Sequence, residues 1–229
     1  MSAGLAWGAE PRLLLGVAML LGASLLDLRS RRVANLYWMP FVAFAAVLDV
    51  VDLAAGEWVG VAVGAALCGA FYLFWLVRLF GGADAKGLMV LALLLPPTVG
   101  GTPVPTVLGG LMLGSLLAGV GIPVVLLAWN LLHGRLTLPA ALIGVPMDLA
   151  AARRAHVWPM QAPVAGEPGR LRWRYLRHVG SNPGALLDAL EAAGVRRPWV
   201  TPKIPFMLPL TVGVAAWPAV AAALPGMLP

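Results

Sequence analysis

WVGVAVGAALCGAFYLFWLVRLF, residues Trp58–Phe80, carries one charged side chain, Arg78, in 23 residues. As a helix it would reach about 35 Å, enough to cross a hydrocarbon core of about 30 Å. The run reads as a membrane span. Working outward from it, further apolar runs cover Leu13 to Leu28, Leu36 to Ala54, Gly87 to Val99, Val107 to Leu132 and Ile204 to Leu228. The expected fold class is therefore an all-α polytopic membrane protein of six transmembrane helices. Composition agrees: 60% of the 229 residues are hydrophobic, 11% are charged and the mean hydropathy is +0.87. A soluble domain carries about 25% charged residues, so a large aqueous catalytic domain is excluded. Only Glu10 and Arg12 flank the first apolar stretch and no small-x-small cleavage site precedes Asp27, so that stretch is expected to be a retained span.

Lysine and arginine stay on the cytoplasmic side of membrane proteins. Arg29, Arg31 and Arg32 follow span one, Arg78 and Lys86 separate spans three and four, and ten more basic residues lie between His133 and Lys203. Fifteen of the sixteen basic residues thus fall on one side, with Arg12 the exception. Glu10, Asp49, Asp52, Glu57 and the neutral segment PPTVGGTPVP, Pro96 to Pro105, fall on the other. The expected protein is a multi-pass cell-membrane protein with both termini outside.

Three segments follow: residues 1–132 with helices one to five, a basic cytoplasmic insert at 133–203, and the sixth helix at 204–229. The insert holds ten basic residues and the acids Asp148, Glu167, Asp188 and Glu191, which accounts for the whole formal charge of +6. It reads as a small α+β unit. RLRWRYL, Arg170 to Leu176, alternates like a strand and is expected to pair with AHVWP across AGEPG. Pro183-Gly184 opens a helix that ends at Gly194, and RPWVTPK supplies a last strand. No stacking-aromatic or zinc pattern accompanies the charge, so no nucleic acid partner is expected. Anionic lipid headgroups are the expected partner of the basic surface.

Gly60-x-x-x-Gly64 and Gly110-x-x-x-Gly114 suit close helix packing. Pro123 is expected to kink span five, and Tyr37, Trp38, Trp58, Trp129 and Trp199 suit the interfacial belt. The one cysteine, Cys68, rules out an internal disulfide or cysteine zinc site.

Two aspartates break this apolar pattern. Span one has 14 apolar residues, Leu13 to Leu26, before Asp27, and span four has nine, Gly87 to Leu95, before Pro96-Pro97. To cross, span four must recruit residues before Lys86 or after the prolines, and either draws Asp84 below the surface. Asp27 and Asp84 then share one depth near the cytoplasmic face. Carboxylates at membrane depth face a partner or water. Two that meet share a proton, so one can take a proton from water while the other polarises a carbonyl, as aspartic proteases do. His133, His156 and His178 lack acidic neighbours in metal spacing, and no serine sits in a nucleophile elbow; neither a metal nor another cofactor is expected.

Other readings stand beside this one. Asp27 could end a helix and pair with Arg29 or Arg31, while Asp84 could pair with Lys86 or cap span four after Gly81-Gly82. Paired carboxylates also suit a small cation or proton-coupled transporter, whose charges belong nearer the midplane. A non-enzymatic pilus-assembly scaffold would tolerate loss of both. Asp49 and Asp52, at the outer end of span two, read as solvated.

FGGADAKGLM, Phe80 to Met89, resembles the GxGD aspartate motif in its archaeal form, with a hydrophobic residue before the aspartate. DLRSRRVANLYW, Asp27 to Trp38, resembles the first-aspartate segment that ends in an asparagine, Asn35, opening the second helix. WVTPKIPFMLPL, Trp199 to Leu210, is similar to a last cytoplasmic strand entering the final span. These features resemble archaeal preflagellin and prepilin peptidases, relatives of type IV prepilin leader peptidases, over nearly the whole chain. The resemblance implies a membrane aspartic endopeptidase that removes class III signal peptides from preflagellin- or prepilin-like precursors, with Asp27 and Asp84 as the dyad. Gly81, Gly82, Ala83, Lys86 and Asn35 would surround it: Gly81 for close backbone approach, Ala83 for tight packing. Ala83 stands where bacterial members have glycine, which favours the archaeal branch. The Cys-rich domain of bacterial relatives is not found in the sequence, so methyltransferase activity is not expected. Because class III leaders are basic, Glu167, Asp188 and Glu191 are the insert's candidate leader contacts.

Overall fold

A computed structural model describes residues 6–30, 32–77, 80–95, 98–99, 102–103, 106–164, 166–167, 169–174 and 182–223, with backbone alone at 6–10, 98–99 and 102–103. Arg31, Arg78, His178, both chain ends and the side chains of Glu10 and the Pro96–Pro105 connection lie outside it. The chain divides into two compact units, Met1–Leu117 with Pro205–Pro229, and Ala118–Ile204. The second unit begins before the insert expected at His133.

The first unit contains α1 (Ala6–Ser30), α2 (Asn35–Ala54), α3 (Trp58–Leu76), α4 (Gly82–Leu94), a minimal hairpin of β1 (Thr98–Val99) and β2 (Thr102–Pro103), α5 (Thr106–Leu116) and, from the other end of the chain, the helix Met207–Ala223. Among the described residues four helical stretches are long and apolar enough to cross a membrane: Pro11–Ser30, Asn35–Ala54, Trp58–Leu76 and Thr106–Leu132; Met207–Ala223 is a shorter apolar helix. The other two runs expected to be spans form the shorter helices α4 and Met207–Ala223.

α4 explains how 13 residues can serve. Ala85, Gly87, Leu88, Val90, Leu91, Ala92 and Leu94 are all buried, whereas α2 buries only Trp38 and Ala45. A helix apolar all round sits inside a bundle, and its neighbours face the lipid. Exposed Phe44, Val47, Val51 and Leu73 on α2 and α3 form such a lipid-facing surface. α4 takes the first of the two extensions open to it, starting before Lys86, and stops at Leu95 because the next residue is a proline. Its first turn closes on the Ala85 N–H to Gly81 carbonyl bond of 2.9 Å. α1 likewise passes through Asp27 and ends at Ser30.

Small residues bring α5 against the C-terminal helix. A Cβ on Gly213 would lie 2.2 Å from the Gly110 carbonyl oxygen, so these backbones touch where any side chain would part them. The core around α4 joins Met19, Leu20, Trp38, Leu88, Leu91, Met207 and Leu210. Trp38 therefore belongs to the core and not to the interfacial belt, because its position on α2 faces α4 and not lipid.

In the second unit a π-helical segment, Leu117–Gly121, precedes α6 (Ile122–Leu132), so the irregularity expected at Pro123 falls just before it. Asn130 on α6 is fully buried and donates to the carbonyls of Ala141 and Gly144, at 3.0 and 2.8 Å. There follow α7 (Ala140–Ile143), β3 (Val145–Pro146), α8 (Leu149–Arg154), β4 (Val157–Pro159), β5 (Gln161–Pro163), β6 (Leu171–Trp173), α9 (Pro183–Ala192) and β7 (Trp199–Pro202). β7 is the centre of an antiparallel sheet ordered β3-β7-β4, with Trp158 opposite Thr201. This corrects the expected pairing of AHVWP with RLRWRYL: β6 pairs with β5, Ala162 opposite Arg172, because the turn between them closes a nearer hairpin. The helix capped by Asn182 and Pro183 forms as expected, with Asn182 Oδ1 accepting from the Gly184 N–H and Gly194 at φ +75° past its end.

Candidate active site

Asp27 lies in the last turns of α1, half-buried, one turn after the buried Ser24. Residues three apart on a helix share a face, so Asp27 continues the core-facing stripe of Ala23 and Ser24 toward the helix end. Asp84 is the third residue of α4, half-buried above Gly87, Leu88 and Leu91. At that place the unpaired N–H groups of a helix start favour a carboxylate. α1, which carries Asp27, packs against α4, which carries Asp84. Among the described residues neither aspartate is held in an ion pair, so the local partners Arg29 and Lys86 do not take them.

Lys86 turns elsewhere. Its Nζ donates to Asn35 Oδ1 at 2.6 Å, tying the first turn of α4 to the first residue of α2. A Cβ on Gly81, the residue capping α4, would stand 2.9 Å from Asp84 Oδ2. Gly82 is exposed, with only Trp75 Nε1 near a built Cβ, at 3.8 Å, and Ala83 is half-buried.

At the opposite end of α2 the solvated reading of Asp52 is overturned. Arg12 Nη2 and Asp52 Oδ1 are 2.7 Å apart, with side chains only 7% and 19% exposed. A guanidinium buried by α1 needs a counter-charge, and Asp52 supplies it. Asp49 is half-buried beside them. In the insert the candidate leader contacts are already engaged: Arg153 holds both Asp188 and Glu191 at 2.6 Å, and Arg170 holds Glu167.

Two supporting contacts had no sequence signal strong enough to single them out. Tyr37 on α2 donates to the Met19 carbonyl of α1 at 2.6 Å, filling the notch at Gly22. The Ser24 hydroxyl lies 3.1 Å from that of Thr211 on the C-terminal helix. A serine one turn before an aspartate was the available hint.

Apolar helices that carry two half-buried carboxylates near their ends make this a membrane protein with acidic groups set among its helices. The model of the type IV leader peptidase family matches residues 14–124, a segment that includes both aspartates. Over that segment, just under half of the chain, the protein is similar to the type IV leader peptidases. No curated protein matches the chain.

Proposed function

We propose that the protein is an aspartic endopeptidase that removes class III signal peptides from preflagellin- or prepilin-like precursors at the cytoplasmic face of the cell membrane, with Asp27 and Asp84 as its catalytic pair. The observation that carries this reading is the packing of α1 on α4, each bearing a half-buried carboxylate near a helix end, Asp27 and Asp84, with neither in an ion pair among the described residues. Two carboxyls that meet do not both ionise easily, so in this reading the pair holds one proton. The ionised member takes a proton from water, whose oxygen attacks the scissile carbonyl carbon. The protonated member donates to the carbonyl oxygen as charge develops there. The tetrahedral diol then collapses: the ionised carboxyl takes a proton from one diol hydroxyl as the carbonyl re-forms, the C–N bond breaks, and the protonated carboxyl gives its proton to the leaving nitrogen.

In this reading the six-span topology puts both termini outside, and the basic insert docks on anionic headgroups. Cleavage of a purified prepilin-like precursor, followed as a mobility shift, tests the proposal. Wild-type cleavage lost in Asp27→Asn and in Asp84→Asn is the expected result. Absence of cleavage by the folded wild-type protein of every class III precursor offered would reject it.

A further inference from the structure

The residues 207–211 that open the C-terminal helix, α10 (Met207–Ala223), touch both helices that bear the aspartates. Ser24, one turn before Asp27, is buried, and its hydroxyl lies 3.1 Å from Thr211 Oγ1. Thr211 has one hydroxyl proton and gives it to the Met207 carbonyl, 2.6 Å away. Ser24 is therefore the donor between the two hydroxyls. The Met207 side chain, fully buried, packs on α4 one turn after Asp84: a Cβ on Gly87 would meet its Cε at 2.7 Å and its Sδ at 3.3 Å.

We infer that this first turn of α10 sets the separation of Asp27 and Asp84, with Thr211 and Met207 acting as positioning residues for the pair. Met207 packs the end of its own side chain directly on Gly87 of α4. Thr211 bears on α1 through a directional bond in a core of Met19, Leu20, Ala23 and Leu210, where a lost partner leaves a buried hydroxyl unsatisfied. Carboxyls that share a proton tolerate little change in spacing, and a misplacement of about 1 Å can cost about 100-fold in rate. The gauge belongs to residues 205–229, beyond the segment 14–124 that the family model matches. This inference rests on the aspartate pair proposed above.

The test uses the full chain in lipid nanodiscs, comparing Thr211→Val, Thr211→Ser and Ser24→Ala. Two readouts are taken: kcat and KM on a prepilin-like precursor, and the spin-label distance between cysteines placed at Arg29 and Gly82 in a Cys68→Ala background. Thr211→Val is nearly isosteric and removes both hydroxyl bonds; it should widen the distance distribution and lower kcat roughly 10- to 100-fold at unchanged KM. Thr211→Ser keeps the hydroxyl and should return both readouts to the parent. Should Thr211→Val fail to insert, Ser24→Ala gives the same comparison with the Thr211 to Met207 bond intact. A variant that loses thermal stability but keeps the parent distance and the parent kcat per folded molecule would mean that the hydroxyls only hold helices together, and the inference would fall. The distance readout decides it even if no precursor is cleaved, which separates its failure from that of the proposed function.

Discussion

Gly81 and Asp84 are in steric register: a methyl group on Gly81 would approach Asp84 Oδ2 to 2.9 Å, closer than a carbon and an oxygen rest. A side chain at position 81 would have to displace the end of the Asp84 carboxylate. Gly81→Ala should therefore displace the Asp84 side chain and lower kcat by about 10- to 100-fold, the scale of an ångström-level misplacement. Gly69→Ala, where a Cβ meets nothing within 4 Å, should leave cleavage intact. Equal rates for Gly81→Ala and wild type would show that the carboxylate does not need this space.

Asp27→Asn and Asp84→Asn should each abolish cleavage while the protein still inserts, because an amide can neither accept the proton of water nor complete a shared-proton pair. The double variant should cost little more than either single one, since members of one catalytic unit are not additive. Asp49→Asn should stay active. Residual cleavage in one single variant, read by precursor mobility, would remove that aspartate from the chemistry.

In the proposed mechanism the pair works with one proton, so the rate should fall both when the pair gains a second and when it loses the one it has. The profile of kcat against pH should be bell-shaped and should belong to the pair as a unit. Chelators should leave the rate unchanged, because in that mechanism the carboxylates activate water themselves. A rate that chelation abolishes and one divalent ion restores would overturn this mechanism.

Arg12 is buried and its charge is answered by Asp52. Asp52→Asn leaves that charge uncompensated and should destabilise the folded protein by about 3 kcal/mol, seen as a lower unfolding midpoint, with kcat of the folded fraction unchanged. Replacing both residues, Arg12→Met with Asp52→Leu, should recover much of the loss. If the single and double variants melted alike, the pair would not be acting as a pair.

A cysteine at Ala55, in the exposed turn between α2 and α3, should react with impermeant reagent from outside, and one at Arg172 from inside. Labelling of both from the same side would sink the six-span topology.

Hydropathy and charge are properties of single residues, which is why the membrane character and the long apolar helices could be read from the sequence. The same local logic found the capped helix at Pro183 and the strand at Trp199. It went wrong where a residue's partner is remote. Asp52 seemed solvated because its counter-charge, Arg12, is 40 positions away, and Lys86 faces Asn35, 51 positions away, and not the nearby Asp84. β4 chose β7 over its neighbour in sequence. Ser24 and Thr211, 187 positions apart, meet only because α10 packs against α1. The sequence by itself determined what each segment costs to place in lipid or water, since that transfer free energy is set by the side chains it carries. Only the tertiary structure decided which segments touch, because pairing depends on shape and on satisfying every buried polar group at once, and no single stretch of chain contains that information.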